Sequence, residues 1–442
     1  MHRRILAIAI PSIISNITVP LLGLADTAIT GHLGSAAYMA AIAIGTSVFS
    51  TCYWIFSFLR MATGGLTAQR FGAQDWAGCR LCLMRALTVG TIVSAAIILF
   101  QQPLAALALA LMDASPEVHG LTLQYFRILV WGAPASLGLF AFNGWFIGMQ
   151  NARIPMVVSI VQNVVNVALS CLLVMGAGWR IEGVATGTLV AQWTGFLLAA
   201  WQARRLFCAT RAKAEGRRLP HVSWNCYFSV GRDIFLRTLC LVSVMFSFTV
   251  FGSHIGEAVL SANTILMQFF LFVSYFMDGF AYAGEALGGR FLGEASRQRF
   301  MRLHSALFVW GSGVAALFTL LLLFGGEAAI ALLTNVESVR SAAGMFLPFV
   351  VAVPMVSTAT FIYDGLFIGT TATRSMFLST AIATLFYFLL SLTAFAGMAA
   401  SPNVWLWSGF LVYLATRGIV QALLLPGIVG RKFGRAASKG EA

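Results

Sequence analysis

The sequence predicts an all-α integral membrane protein with twelve transmembrane helices in two six-helix lobes. Three observations lead to this fold class: an apolar composition, apolar stretches of about 20 residues that recur along the chain, and a similarity between the two halves. Of the 442 residues, 59% are apolar and 10% are charged, and the mean hydropathy is +0.85. A water-soluble domain carries about 25% charged residues, so a soluble fold is excluded.

The apolar stretches define the elements in chain order, because about 20 residues of helix cross the roughly 30 Å hydrocarbon core of a bilayer. The segments between them are too short for a soluble domain. The predicted spans cover residues 5–31, 36–66, 78–100, 121–148, 154–176, 182–203, 230–252, 258–287, 303–324, 342–369, 375–397 and 404–426.

The positive charges indicate the orientation of these spans. The net charge is +13, and with the N-terminus inside, 22 of the 28 Lys and Arg residues fall in inward-facing segments. Cytoplasmic loops carry such an excess, so the charge reflects topology and not nucleic-acid binding. We expect a multi-pass protein of the cell inner membrane with both termini in the cytoplasm. The N-terminus has no small-residue cleavage site, and we expect it to be retained as the first span.

The two halves resemble each other at a spacing near 221 residues. Residues 143–153 (NGWFIGMQNAR) match residues 364–374 (DGLFIGTTATR), and residues 32–41 match residues 254–263. Further pairs are Arg70-Phe71 with Arg290-Phe291, and Pro134 with Pro354. The predicted domains are an N-lobe of residues 1–203, a basic cytoplasmic linker of residues 204–229 and a C-lobe of residues 230–442.

This repeat favours a secondary transporter. Each half holds an even number of spans, so both halves have the same orientation, and the pseudo-twofold axis runs along the membrane normal. Transporters of this plan bind substrate between the lobes near the midplane and move by rocking of the lobes. Gene duplication also builds membrane proteins that transport nothing, and that alternative stays open.

An acidic residue in the first span is the strongest site candidate, because ionisable side chains inside a membrane are costly and mark functional sites. Asp26 lies in the outer half of span one, after Pro11 and Pro20. Each proline removes a backbone hydrogen bond and can kink the helix. A carboxyl group beside a kink can couple proton or cation binding to helix bending. A structural Asp with fixed hydrogen bonds is the alternative.

A second acidic group is predicted in span eight. Asp278 and Glu285 are seven residues apart, so they lie on one helix face, which Tyr282 shares. These side chains are candidates for a relay of substrate or cations through the C-lobe.

Asp364, near the inner end of span ten, is a candidate member of the same relay. Its repeat mate in the N-lobe is the uncharged Asn143. The C-lobe is therefore richer in acidic groups. Alternatively, these acids neutralise Arg60 and Arg417 in structural pairs.

Polar side chains also line spans five and six. Asn163, Asn166 and Ser170 lie along one stripe of span five, and Thr188 follows in span six. Hydrogen bonding between packed helices is the ordinary role of such residues, and an ion site is the alternative.

The cysteines do not indicate a metal site. Seven are scattered mostly within spans, and the close pair Cys79 and Cys82 has no second pair or His cluster nearby. We expect free thiols, no bound metal and no cofactor.

Three segments carry a family resemblance: PLLGLADTAITGHLG at residues 20–34, LRMATGGLTAQRFGA at 59–73 and DGFAYAGEA at 278–286. With the two-lobe plan, they make the chain resemble the multidrug and toxic compound extrusion (MATE) transporters, within them the DinF-like branch, over essentially its whole length. The resemblance implies antiport, in which H⁺ or Na⁺ enters as an organic, often cationic and lipophilic, compound leaves.

The resemblance also implies residue roles. In this branch the acidic residue of the first helix is the coupling carboxylate, and Asp26 occupies its place. Asn166 and Thr188 match its partners from helices five and six. Ser170 stands where some relatives have a second Asp, which weakens the case for tight Na⁺ binding and favours H⁺. Pro11 matches the first-helix proline at which bending has been proposed.

We therefore expect a monomeric, proton-driven exporter of drugs and toxic compounds, with small-molecule substrates and membrane lipids as its partners. A Na⁺-coupled exporter is one alternative. A flippase of lipid-linked precursors would need a wide cationic groove, yet clear intramembrane acids outnumber bases here by four to two. An integral-membrane enzyme would need a concentrated catalytic set such as HExxH, and the sequence has none, so we expect no catalytic residues.

Overall fold

The structure, a computed structural model, describes residues 1–31, 35–110, 115–210, 224–393 and 401–438. These residues are mainly helical and contain no β-strand, which confirms the all-α prediction. The helices are α1 (His2–Gly31), α2 (Ala36–Ile55), α3 (Phe58–Gly72), α4 (Trp76–Leu99), α5 (Gln101–Ala110), α6 (Pro116–Leu129), α7 (Ala133–Gly148), α8 (Arg153–Cys171), α9 (Ile181–Thr210), α10 (Trp224–Ile255), α11 (Glu257–Gly293), α12 (Arg297–Leu333), α13 (Glu337–Gly369), α14 (Thr373–Thr393) and α15 (Pro402–Ser438).

Within the described ranges, twelve helical segments are long and apolar enough to cross a membrane, as the sequence predicts. Two of these segments combine two helices. Helices α2 and α3 form the segment Ala36–Gly72, and α6 and α7 form Pro116–Gly148 across a 3₁₀ turn at Val130–Gly132. A π-helical turn, Leu172–Gly176, ends the fifth segment.

Several helices extend beyond the predicted spans. Helix α12 covers Arg297–Leu333, whereas the apolar stretch covers residues 303–324. The extra turn at the start of α12 carries Arg297, Arg299 and Arg302, whose long side chains can reach water from a helix end. A hydropathy pattern therefore locates the part of a helix in hydrocarbon and misses its polar ends. It also missed α5, because ten residues are too short to span.

The chain forms two compact units. One holds Met1–Ile13 together with Ser223–Ala442, and the other holds Ile14–Val222. The start of α1 packs within the first of these units: Trp310 Nε1 donates to His2 Nδ1 at 3.0 Å, and a side chain at Gly279 would collide with Ala9. Residues 211–223 of the predicted linker and residues 32–34 of the first repeat segment lie outside the described residues.

Each unit contains a closely packed helix pair built on two glycines four residues apart, at equivalent places in the repeat. The glycines are Gly144 and Gly148 in α7, and Gly365 and Gly369 in α13. A Cβ atom at Gly144 would collide with the backbone of Arg60 in α3, and one at Gly365 would collide with the backbone of Ala281 in α11. Both members of these two pairs are 221 residues apart. The sequence repeat is therefore a repeat of close helix packing, which small residues permit.

The ends of four helices repeat in the same way. The residues with positive φ other than glycine in the described chain are Gln74, Gln150, Ala295 and Thr371. The backbone N–H after each bonds a carbonyl five residues back, as in Asp75 to Arg70 and Ser296 to Phe291, both at 2.9 Å. This pattern equates Arg70 with Phe291. The predicted pairing of Arg70 with Arg290 was one residue out of register, because a shared Arg-Phe dipeptide outweighed the turn.

An aromatic core holds α10, α11 and α15 together. The rings of Phe248 and Trp407 lie 5.0 Å apart, and those of Phe270 and Phe410 lie 5.1 Å apart. Trp407 Nε1 donates to Asn263 Oδ1 at 2.9 Å, and Asn263 exchanges two hydrogen bonds with Asn403. These satisfied amides fix the helices that carry the buried charges described below.

Candidate functional site

Asp26 lies in α1, two helical turns after Pro20, with a half-buried side chain. Its Oδ1 atom is buried and has no hydrogen-bond partner among the described residues. The neighbouring hydroxyl of Thr27 donates to the carbonyl of Gly23, at 2.8 Å. Asp26 is thus a membrane-embedded carboxyl group with an unused acceptor, which is the arrangement expected of a group that binds a proton or a cation.

Asn166 and Thr188 meet between α8 and α9, as the sequence-based candidate site requires. Asn166 Nδ2 donates to Thr188 Oγ1 at 2.9 Å, and Thr188 Oγ1 donates to the carbonyl of Val184 at 3.0 Å. Asn166 is buried, and within the described chain its Oδ1 accepts no hydrogen bond. The Nδ2 atom of Asn166 thus fixes the orientation of the amide group, and its Oδ1 atom stays available as an acceptor.

Tyr125 of α6 is a further buried polar side chain of this unit, and the sequence pattern gave it no role. Its hydroxyl lies 3.3 Å from Thr46 Oγ1. A side chain at Gly45 would collide with the Tyr125 ring, so this glycine makes room for it. A lone tyrosine in an apolar stretch is the only signal that the sequence contained.

Ser170 follows Asn166 by one turn of α8 and is fully buried. Its hydroxyl oxygen has no partner in the described residues, and any side chain at Gly187 of α9 would collide with it. The four predicted N-lobe residues therefore all belong to one unit, Ile14–Val222, where α1, α8 and α9 supply them.

Helix α1 is tied to α8 next to Pro20. Thr18 Oγ1 lies 3.0 Å from Ser159 Oγ, and Asn163 Nδ2 donates to the Thr18 carbonyl at 3.2 Å. Asn163 thus performs the helix-bonding role predicted for polar residues of this span. These contacts fasten α1 two turns before Asp26. Pro11, by contrast, lies in the part of α1 that packs with the unit Met1–Ile13 and Ser223–Ala442.

Asp364 has a different environment from Asp26. It accepts hydrogen bonds from Arg237, from Arg417 Nη2 at 2.6 Å and from Gln421 Nε2 at 2.6 Å. All four side chains are buried. This ion pair with Arg417 is the structural alternative weighed from the sequence. Arg237 was missed as a partner, because pairing between α10 and α13 has no local sequence signal.

Asp278, Tyr282 and Glu285 lie along α11, with Glu285 fully buried and the other two half-buried. Asp278 follows Tyr275 by one turn of the same helix. Both oxygens of Asp364 are already taken by its own donors. The predicted relay is therefore reduced to the two acids and the tyrosine of α11.

The described residues contain no group of three or more His, Cys, Asp or Glu side chains that could hold a metal ion. The six described cysteines are free thiols. Cys79 and Cys82 are both buried in α4, where Trp145 Nε1 donates to the Cys79 carbonyl at 2.9 Å. This pair of cysteines serves helix packing.

Comparison with known proteins places these features in context. Residues 11–172 and 234–393 match the MatE family. DNA damage-inducible protein F of Escherichia coli (strain K12) is 34% identical over 421 residues, which cover 94% of this chain and 90% of the relative. Multidrug resistance protein MdtK of Proteus mirabilis (strain HI4320) is 22% identical over 437 residues, which cover 95% and 93% of the two chains.

Solved structures show the same fold. A crystal structure of MATE in the bent conformation aligns with a TM-score of 0.86 and 18% identity, covering 98% of this chain and 96% of that one. A crystal structure of MATE in the straight conformation aligns with a TM-score of 0.84 and 19% identity, covering 99% and 97%. At these identities the likeness concerns the fold, which includes the two six-helix lobes.

Proposed function

This chain belongs to the MatE family of membrane transporters, and on that premise we propose that it exports cationic or lipophilic organic compounds in exchange for protons. Members of the family are transporters and not enzymes, and they use ion coupling without cofactors. Relatives named as multidrug resistance proteins support drugs and toxic compounds as the cargo. The chain is a multi-pass inner-membrane protein. We propose that both termini face the cytoplasm and that it acts as a monomer.

One observation carries the proposal. The Oδ1 atom of Asp26 in α1 is buried and has no hydrogen-bond partner among the described residues. An ionised carboxylate inside a membrane costs free energy unless a partner or a water-filled cavity compensates it. A proton on Oδ1 removes the charge and turns the group into a hydrogen-bond donor. Asp26 therefore has a physical reason to exchange a proton, which Asp364 with its two arginines lacks.

We propose H⁺ over Na⁺ because of the oxygen atoms that the family resemblance groups with Asp26. Hard cations prefer several oxygen ligands with negative charge. Asn166 Oδ1 and Ser170 Oγ are uncharged acceptors, and Thr188 Oγ1 already participates in two hydrogen bonds. A site with a single carboxylate and neutral oxygens favours a proton, which needs one acceptor. The donor set would also fit a weakly held Na⁺, and Na⁺ coupling is the alternative.

We propose that proton occupancy of Asp26 is coupled to bending of α1. Pro11 and Pro20 each leave the helix without one backbone hydrogen bond, so bending there is less costly than elsewhere. The Thr18 contacts to Ser159 and Asn163 mark where α1 is fastened to α8. Solved structures of this fold described as bent and straight support a scaffold that accommodates both shapes.

For Asp278, Tyr282 and Glu285 we propose a share in substrate or cation transit. Glu285 is fully buried in a membrane-spanning helix, and such a carboxyl group is retained for a function or for a specific partner. If export is unchanged after Ala substitution at Asp278 and Glu285 in a protein that still folds, the transit role is wrong.

The proposal is tested in proteoliposomes that contain the purified protein, with proton and sodium gradients imposed separately. We expect drug-dependent proton movement with wild-type protein under a proton gradient and no response to Na⁺. Asp26→Asn keeps the size of the side chain but cannot ionise, so we expect proton movement to fall to the rate of empty liposomes.

The matched control for this experiment is Asp75→Asn. Asp75 caps α4 and pairs with Arg70 at 2.7 Å, away from the candidate site, so exchange should continue. Full proton exchange by Asp26→Asn would disprove the role of Asp26. A wild-type response to Na⁺ that is insensitive to a proton ionophore would instead support Na⁺ coupling.

A further inference from the structure

A second buried polar site lies in the unit Met1–Ile13 with Ser223–Ala442, and we name it the arginine cluster. It consists of Arg237 from α10, Asp364 from α13, and Tyr413, Arg417 and Gln421 from α15. Asp364 Oδ2 accepts from Arg237 and, at 2.6 Å, from Arg417, and Asp364 Oδ1 accepts from Gln421. The Arg417 guanidinium lies 5.4 Å from the centre of the Tyr413 ring.

The cluster carries more positive than negative charge. Two guanidinium groups and one carboxylate leave one positive charge in excess, and arginine does not lose its proton in proteins. Arg237 is 6% exposed, Arg417 5% and Asp364 7%, while Tyr413 and Gln421 are inaccessible. A charge in excess at such a depth is costly unless a counter-charge accompanies it.

The guanidinium groups also have hydrogen-bonding capacity to spare. Within the described part of the chain, Arg237 Nε and Arg417 Nε are buried and have no hydrogen-bond partner. Buried polar groups in proteins are nearly always hydrogen-bonded. Unsatisfied donors on two cations that share one carboxylate point to an acceptor that is itself negatively charged.

The carboxylate of α10 does not supply this charge. Asp233 lies one turn before Arg237 in α10, but its Oδ1 pairs with Arg232 at 3.2 Å and its Oδ2 accepts from Thr373 at 3.1 Å. Asp364 itself has both carboxylate oxygens occupied by its three donors.

We propose that the arginine cluster binds a small monovalent anion through the Nε–H groups of Arg237 and Arg417. The ligand is either an inorganic anion of the halide class or the anionic group of an organic compound, which share charge and acceptor chemistry. The burial of all five residues requires a small group. This site is independent of proton coupling at Asp26, because it belongs to different helices in the other unit.

Thermal unfolding of the purified full-length protein in detergent tests the proposal. Chloride is replaced stepwise by gluconate at constant ionic strength, so only the bound anion changes. Since a ligand of the folded state stabilises it, we expect chloride to raise the Tm of the wild type saturably, by about 2–4 °C. Bromide should act in the same way, and the benzoate anion shows whether an organic carboxylate is accepted.

The charge balance of the cluster predicts opposite effects for two kinds of variant. Arg417→Gln and Arg237→Gln each leave one cation with one carboxylate, so the chloride-dependent rise in Tm should disappear. Asp364→Asn leaves two cations without a carboxylate, so the chloride-dependent rise should grow. A purely structural role would lower the Tm of all three variants without any dependence on chloride.

Arg299→Gln is the matched control, because Arg299 pairs with Glu294 at 2.7 Å on the exposed surface and should keep the wild-type response to chloride. Stabilisation by chloride and bromide alone assigns the site to an inorganic ion, and stabilisation by benzoate assigns it to an organic anion. A wild-type Tm that ignores every anion overturns the proposal, as does a chloride effect that survives in either arginine variant. If one arginine variant fails to fold, the other and Asp364→Asn decide the outcome.

Discussion

At the scale of single residues, two membrane-embedded aspartates have opposite environments. Asp26 has a buried oxygen that no described residue contacts through a hydrogen bond, whereas Asp364 accepts from two arginines and a glutamine. A carboxylate with two guanidinium partners is held in its charged form, and removing a partner costs more than the pair contributes. This contrast supports the proposal that Asp26 exchanges the proton, whereas Asp364 lies in a fixed network of ion pairs and hydrogen bonds.

In the proposed coupling site Ser170 is an uncharged residue one turn after Asn166, which leads to a prediction. We expect Ser170→Asp to give the transporter a Na⁺ response, because a second carboxylate adds a charged oxygen ligand to the neutral acceptor of Asn166. Drug efflux from proteoliposomes under an imposed sodium gradient is the measurement.

Ser170→Asn is the matched control, because it has the volume of Asp without the charge and should show no Na⁺ response. Both variants must adapt to Gly187, which approaches the Ser170 hydroxyl. Equal behaviour of the two variants in a folded state would contradict the assignment of Ser170 to the ion site.

A residue could be predicted from the sequence only where its own sequence neighbourhood marked it. Asp26, Asn166 and Ser170 were found because a carboxyl group or a polar stripe is conspicuous among apolar residues. Tyr125 and Arg237 were not assigned a role, because their partners come from other helices. Asp364 was placed in a relay with Glu285, since position along a helix does not reveal which neighbour lies opposite.

At the scale of helices, the close contact between α11 and α13 limits which residues the repeat tolerates, and a prediction follows. We expect Gly365→Ala to destabilise the protein by about 1–3 kcal/mol, because its Cβ would collide with the Ala281 backbone, which cannot move as a side chain does. Gly144→Ala should have a similar effect through the backbone of Arg60. Thermal unfolding in detergent measures both changes.

The control for this prediction lies in the same helix. A Cβ atom added at Gly344 of α13 would meet no atom of the described residues within 4 Å, so Gly344→Ala should be neutral or stabilising. If Gly365→Ala were as stable as Gly344→Ala, the close packing of α11 and α13 would not be a source of stability.

The sequence predicted the helices better than their ends and their packing. Hydropathy placed twelve spans correctly, because the membrane imposes both the length and the composition of each. It gave the second span as residues 36–66, whereas the structure has α2 and α3 separated at Phe56 and Ser57. The repeat of NGWFIG and DGLFIG predicted equivalent helices. It did not predict that the glycines of these helices pack against α3 and α11, because a packing partner on another helix leaves no local sequence signal.

At the scale of the whole molecule, the helix packing repeats between the two halves, but the membrane-embedded acidic residues do not. The glycine contacts and the positive-φ helix ends recur at a constant spacing of 221 residues, so both units were built from one packing scheme. The membrane-embedded acidic residues Asp26, Asp364 and Glu285 have no acidic counterpart at this spacing. The unit Ile14–Val222 contains Asp26 and the uncharged polar residues of α8 and α9, and the other unit contains the arginine cluster. We infer that the repeated helix packing provides the framework for conformational change. The different charges of the two units give each unit its own binding site, Asp26 in one and the arginine cluster in the other.

The orientation of this scaffold in the membrane gives the last prediction. Since 22 of 28 basic residues fall on one side of the predicted topology, that side should face the cytoplasm. Cys208 is an exposed free thiol at the end of α9, on the predicted inner side. A membrane-impermeant maleimide should therefore label it in inside-out vesicles and not in right-side-out vesicles, with Cys208→Ser as the background. Asn335→Cys, between α12 and α13, should label with the opposite preference. Labelling of both thiols from one side would contradict the alternation of spans, and a reversed preference would place the termini outside.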